Sequence, residues 1–279
     1  MLNDLKDCEL DEDIAIKLKP GNVIPIEFRS LNILSIDWDY FFPNNFDFDW
    51  AMDESRFLFY EMIWPIRWGN IHLMTKELAK DIYHPDQQLL NGFLDKILIN
   101  SNPSLLSIAD SHTDIKHLIN LFSAKVNIYN FDQHHDIYYG NELPNKESEP
   151  NCGNWVGYFL DRIESYHLYY PPWRKSNLEH TGKLLHTNSV SFTIPKNPPS
   201  FQMIFICRSS PWTPSWSDHH WIKFIEYFKT NYRYTWDHKL ALDYALKPRP
   251  FDLKQAKQYY EQTKKMMQQY KNQLNEKEK

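Results

Sequence analysis

Three short clusters in this 279-residue chain carry side chains that bind metal ions. They are Asp37-Trp38-Asp39, Asp110-Ser111-His112-Thr113-Asp114 and Asp132-Gln133-His134-His135-Asp136. Each follows an apolar run (32–36, 105–109 and 126–131) with the length of a buried strand. In an open parallel sheet, ligands bind beyond the carboxyl ends of the strands. If the three strands are neighbours, their clusters converge there. Carboxylates crowded at one edge repel each other, and cations offset that cost. Mixed carboxylate and imidazole donors suit Mn²⁺, Fe²⁺, Co²⁺ or Zn²⁺. The donors outnumber what one ion can use, which points to a two-metal site. Along an extended segment, alternate residues share a face. Asp132, His134 and Asp136 then point one way, and Gln133 and His135 the other. The competing structural role is capping, because an Asp at a strand end often begins a turn or helix. Asp110 and Asp114 fit that role best.

The elements that must position these clusters follow from periodicity. Helical spacing occurs at 50–64, 73–83, 113–123, 154–165 and 218–232, and further strands are expected at 167–170, 189–194 and 202–207. Residues 1–29 read as a lead-in with an extended piece at 23–28, and 140–151 as a loop. Alternating strands and helices predict an α/β fold, a single domain with a mostly parallel sheet flanked by helices. The domain is expected to span residues 1–250, with a polar helical tail, 251–279, docked on it.

Composition excludes several classes. There are only 7 Gly and no Gly-rich phosphate loop. A net charge of −5 does not suit nucleic-acid binding. The three Cys form no CxxC pair or disulfide framework. No apolar run is long enough to cross a membrane, and no signal peptide is read at the N-terminus, so a cytoplasmic protein is expected. Aromatic residues reach 16%. They either build the core or line a groove for an extended ligand.

Asp132-x-His134-x-Asp136 resembles the DxHxD signature of the arginase and agmatinase family, the ureohydrolases. Cys152-Gly153-Asn154-Trp155-Val156-Gly157 resembles the Ser-Gly-Asn-Leu-His-Gly segment that follows this signature. Asp37-Trp38-Asp39 resembles the family's Ser-Phe-Asp-x-Asp strand end, and Asp110-Ser111-His112 its Gly-Gly-Asp-His element. The resemblance implies two Mn²⁺ ions held by Asp37, Asp39, His112, Asp132, His134 and Asp136, with Asp37 and Asp132 bridging. It implies hydrolysis of a guanidinium group to urea and an amine, with Asp136 orienting the attacking water. Asn154 and Trp155 would help hold the substrate.

Two features depart from the usual pattern. The DxD element precedes DxHxD, which requires an altered strand connectivity. Val156 stands where the family has a proton-shuttling His, leaving His135 or His219 for that task. Both departures resemble the divergent peptide arginases, which convert arginine to ornithine in a ribosomal precursor peptide. The implied partner is an arginine-containing peptide or a small guanidino substrate. The stretch 207–217 could form a substrate rim, with Asp218 pairing with a cation, but the favoured role of Asp218 is that of a helix N-cap after a Pro-rigid loop. Other readings are a two-metal phosphoesterase, a free-arginine or agmatine ureohydrolase, and a non-catalytic binding protein. Asp37-x-Asp39 and Asp218-His219-His220 resemble phosphohydrolase motifs, but Phe41 departs from the first and a helix start disfavours the second.

Overall fold

The segment Leu31–Asp37 is almost wholly buried and forms β1 in the middle of a six-stranded sheet. A strand covered on both faces needs a continuous apolar run, not an alternating one, and LNILSID supplies it. In a computed structural model, the residues described are 31–43, 60–75, 83–97, 103, 105–122, 124–139, 143–145, 149–176, 186–231 and 246–277. The lead-in 1–29 and the first part of the 50–64 helix lie outside them.

The remaining strands are β2 (Leu105–Ala109), β3 (Val126–Phe131), β4 (Ile163–Tyr169), β5 (Ser189–Ser191) and β6 (Met203–Cys207). Their order is β2-β6-β1-β3-β4-β5, and every pairing is parallel. From β1 the chain moves to one side, to β2. From β3 it moves to the other, through β4 to β5. The crevice at the carboxyl ends of β1 and β3 is therefore the topological switch point, where such sheets bind ligands.

The helices are α1 (Tyr60–Thr75), α2 (Gln87–Ile97), α3 (Ile115–Asn120), α4 (Trp155–Tyr158), α5 (Asp218–Asn231) and α6 (Leu253–Lys277). One sheet face packs Leu34 and Ile36 with Trp64, Phe93, Trp221 and Phe228. The other packs Ile33 and Phe205 with Ile115, Ile119, Trp155 and Tyr166.

Two expected elements differ, and one helix was not expected. Helix α1 runs through Pro65 to Thr75 as one piece. Burial of Trp64, Trp68 and Ile71 outweighs the helix hydrogen bond that a proline removes. The helix expected at 154–165 is only α4, four residues long, and β4 starts at Ile163. Helix α2 was not read from periodicity, although Asp86 marks its start. Its Oδ1 accepts from the backbone N–H of Gln88 (2.9 Å) and Leu89 (3.0 Å), as an N-cap does.

Candidate metal centre

Strand β1 ends in a one-turn 3-10 segment, Trp38–Phe41, capped by Asp37. Asp37 Oδ1 accepts the Asp39 N–H at 3.0 Å, while Oδ2 lies 3.3 Å from His112 Nδ1. The same side chain thus caps a turn and faces the cluster.

Strand β3 ends at Phe131, and Asp132 to Asp136 form a tight turn in which Asp136 has φ = 50°. Asp tolerates this left-handed conformation better than most residues. The turn brings Asp132, His134 and Asp136 together, so the expected shared face arises from a bend and not from extended alternation. Gln133 and His135 do point elsewhere. Gln133 Nε2 donates to the carbonyls of Asp39 (2.6 Å) and Phe42 (2.7 Å), tying the two ligand-bearing turns together. The His135 ring stacks on Tyr139 with centroids 4.6 Å apart, and its Nδ1 accepts from Ile137 N.

Strand β2 does not adjoin β1, because β6 lies between them. His112 still reaches the site, across β6. A 3-10 turn, His112–Asp114, is capped by Ser111 and turns the imidazole inward over Phe205, with centroids 5.7 Å apart and planes within 13°. Ser35 on β1 and Ser107 on β2 flank Phe205 in register, and these small side chains leave room for the ring. Ser35 Oγ hydrogen-bonds His112 Nε2 at 2.8 Å. That bond fixes the ring and directs Nδ1 at the carboxylates, as the outer partner of a metal-ligating His does.

His112 Nδ1 is 3.0 Å from Asp136 Oδ2, 3.1 Å from Asp132 Oδ2 and 3.3 Å from Asp37 Oδ2. His134 Nδ1 is 3.2 Å from Asp39 Oδ2 and 3.4 Å from Asp132 Oδ1. Ligand atoms about 2.1 Å from one ion and at right angles around it lie about 3 Å apart. The donors therefore stand near the spacing of neighbours in a shared coordination shell. They form two groups, Asp37–His112–Asp132 and Asp39–Asp132–His134, with Asp132 common to both. Its two oxygens face different imidazoles, the arrangement a bridging carboxylate needs. Asp37 belongs to one group, and Asp136 contacts His112 without belonging to either.

The electrostatics favour cations. Asp37, Asp39, Asp132 and Asp136 are each at most 4% exposed. Burial and the charges of Asp39 and Asp132 push the Asp37 carboxyl well above the usual carboxylate range. Burial and Asp132 push Asp136 up to about 8. For Asp132, burial acts upward but hydrogen bonds from His112 and His134 outweigh it and hold the group low. For His112, burial acts downward, yet hydrogen bonds to Asp132, Asp136 and Asp37 keep it well above an ordinary imidazole. Asp39 Oδ2 is buried and accepts no hydrogen bond from a described residue. The donor set fits two divalent transition ions such as Mn²⁺.

Trp155 is fully buried, and its Nε1–H donates to Asp136 Oδ2 at 2.7 Å. The indole is thus bonded to a carboxylate of the cluster, whereas a substrate contact was expected of it. Val156 N donates to Asp136 O (3.0 Å) and Gly157 N to Ile137 O (3.1 Å). These three bonds clip α4 onto the Asp136 turn. A Cβ at Gly157 would collide with the Ile137 carbonyl, so only glycine permits the clip. Asn154 is half-buried, and its Oδ1 accepts from Asn151 N at 2.7 Å. Asp218 is engaged within the chain. Its carboxylate binds Arg208 Nη2 (2.5 Å) and Arg249 Nη2 (2.6 Å) of the chain itself, so it anchors the 208–217 loop and is not presented to a substrate cation. His219 is exposed, with its ring tilted 40° to that of His220 and 4.0 Å between centroids.

That loop does wall the site. Trp212 lies 5.2 Å from the His134 ring, and His134 is the most exposed ligand, at 15%. The Trp212 carbonyl accepts from Tyr83 OH at 3.1 Å. The sequence reading missed Trp212 as a specific wall residue, and it missed Ser35, Asn130, Gln133 and Arg174. Asn130 Nδ2 donates to Asp132 Oδ2 (3.1 Å) and to Tyr166 OH (3.0 Å), and Arg174 Nε donates to Gln133 O (2.9 Å). Ser35 and Asn130 carried a signal: each is a polar residue in an apolar strand, two positions before a ligand and on its face.

Comparison with known proteins found no matching family model, curated protein or solved structure. Among the described residues, no helix is long and apolar enough to cross a membrane.

Proposed function

We propose that this chain hydrolyses the guanidinium group of arginine, held in a peptide, to give ornithine and urea. The observation that carries the reading is the pair of buried donor groups sharing Asp132. Two Mn²⁺ ions, held by Asp37, Asp39, His112, Asp132, His134 and Asp136, would supply Lewis acidity and a lowered pKa for water. Water adds to the guanidinium carbon, the bond from that carbon to the side-chain nitrogen breaks, and the departing amine takes a proton. Asp136 is assigned the task of orienting the water and accepting its proton. Trp155 keeps that carboxylate aimed. Trp212, whose ring already carries the guanidinium of Arg67 at 5.6 Å, lies beside His134 and would bound the substrate there. The choice of a peptide over free arginine rests on the sequence resemblance.

The test is incubation of the Mn²⁺-loaded chain with an arginine-containing peptide, and separately with free arginine, followed by mass spectrometry and a urea assay. Ornithine in the peptide together with urea supports the proposal. Urea from free arginine alone assigns a small-molecule ureohydrolase. Turnover of phosphoesters instead, or metal binding without turnover, overturns it.

A further inference from the structure

Helix α6 carries apolar or small residues at alternating spacings of four and three: Ala256, Tyr260, Thr263, Met267, Tyr270 and Leu274. This is the a/d pattern of a coiled-coil seam. The first part of the seam is used within the chain. Ala256 is fully buried, and the backbone of Tyr260 lies 3.3 Å from where a Cβ on Gly69 of α1 would stand. At Met267 and Tyr270 the seam is bare. Met266, Met267 and Tyr270 are 68, 51 and 63% exposed, three of the six exposed large hydrophobics among the described residues. From Gly69, α1 extends nine residues to its start and six to its end, so α6 outruns it in either direction. Apolar groups gathered in one turn of helix mark an interaction surface more often than the same groups scattered singly.

Charge selects the occupant. The e position beside the seam is lysine in every heptad: Lys257, Lys264 and Lys271. The g position holds Tyr259, Met266 and Gln273, with no acid. Leu253–Lys277 has six Lys and two Glu, a net charge of +4 within a chain of net charge −5. Two copies of α6 would pair lysine with uncharged residues if parallel, or with lysine if antiparallel. A helix with apolar a and d residues and acidic flanks satisfies both the seam and the lysines. We propose that the distal half of α6 docks an acidic amphipathic helix of another polypeptide. The inference does not depend on what the metal centre does.

The test uses the full chain and a labelled, designed three-heptad peptide with Leu at a and d and Glu at e and g, followed by fluorescence anisotropy. The peptide should bind the wild type. Lys264→Glu/Lys271→Glu should weaken that binding roughly tenfold and should instead bind the same peptide rebuilt with Lys at e and g. Met267→Asp/Tyr270→Asp should lose both peptides. All these positions are exposed, and thermal melts would confirm intact folds. Equal binding of the acidic peptide by wild type and the charge-reversed chain would overturn the proposal. So would a wild-type dimer in sedimentation that Met267→Asp/Tyr270→Asp dissolves, or binding to phosphatidylserine vesicles without binding to the peptide.

Discussion

Replacing Trp155 with Phe keeps a large ring in a fully buried position and removes one N–H, the donor to Asp136 Oδ2 at 2.7 Å. A hydrogen bond to a charged group contributes about 1.5–3 kcal/mol, and loss of an outer partner of a metal ligand typically weakens metal affinity about 10–100-fold. Isothermal titration with Mn²⁺ should therefore show Trp155→Phe binding more weakly by about that factor, with the peptide-conversion rate reduced at saturating metal. The effect should also depend on pH. Burial and Asp132 already raise Asp136 to about 8, so at neutral pH protons compete with metal for this carboxylate. The lost donor favoured the charged form, so its removal strengthens that competition. The affinity gap between variant and wild type should narrow above pH 8. Wild-type affinity in Trp155→Phe, or a gap that is the same at pH 6.5 and pH 9, would refute the role given to the indole.

Stability of the metal-free chain should also vary with pH. Asp37, Asp136 and His112 all have pKa values raised by the fold, so the stability they contribute is lost as pH rises through the folded values. Thermal melts should show the metal-free melting temperature falling as pH increases towards and past about 8, the Asp136 value, and Mn²⁺ should raise it most at the alkaline end. Gly157→Ala forces a Cβ against the Ile137 carbonyl and should cost about 1–3 kcal/mol in denaturant unfolding. Asp218→Asn leaves Arg208 and Arg249 buried without their shared anion. It should cost about 3–5 kcal/mol, and in a chain that still folds the KM for an arginyl peptide should stay within a few-fold of wild type.

The sequence made the ligand-bearing strands legible because a both-sides-buried parallel strand is a short apolar run, and the clusters stood immediately after three such runs. Helix α5 was legible for a related reason: Trp221, Phe224, Ile225 and Phe228 recur at helical spacing and are all buried. Strand order was not legible. Nothing in 105–109 reveals that β6, nearly a hundred residues later, inserts between β2 and β1. The way His112 crosses that gap, resting on Phe205 and held by Ser35, depends on cross-strand register. Trp155 was read as a substrate contact because 152–157 resembles a family segment, and that resemblance does not say where the indole points. Only the bend at Asp136, with its positive φ, shows that the indole N–H meets this carboxylate. The ion pairs of Asp218 were not legible, because its partners, Arg208 and Arg249, are 10 and 31 positions away and converge only in the folded chain.

The central claim is that Asp132 bridges two divalent ions between the ends of β1 and β3. Crystals of the chain soaked in MnCl₂ and measured at the manganese absorption edge test it directly. The account predicts two anomalous peaks about 3.5–4 Å apart, one beside His112 and one beside His134, with Asp132 contacting both. A single peak, or none within reach of Asp132, would contradict it.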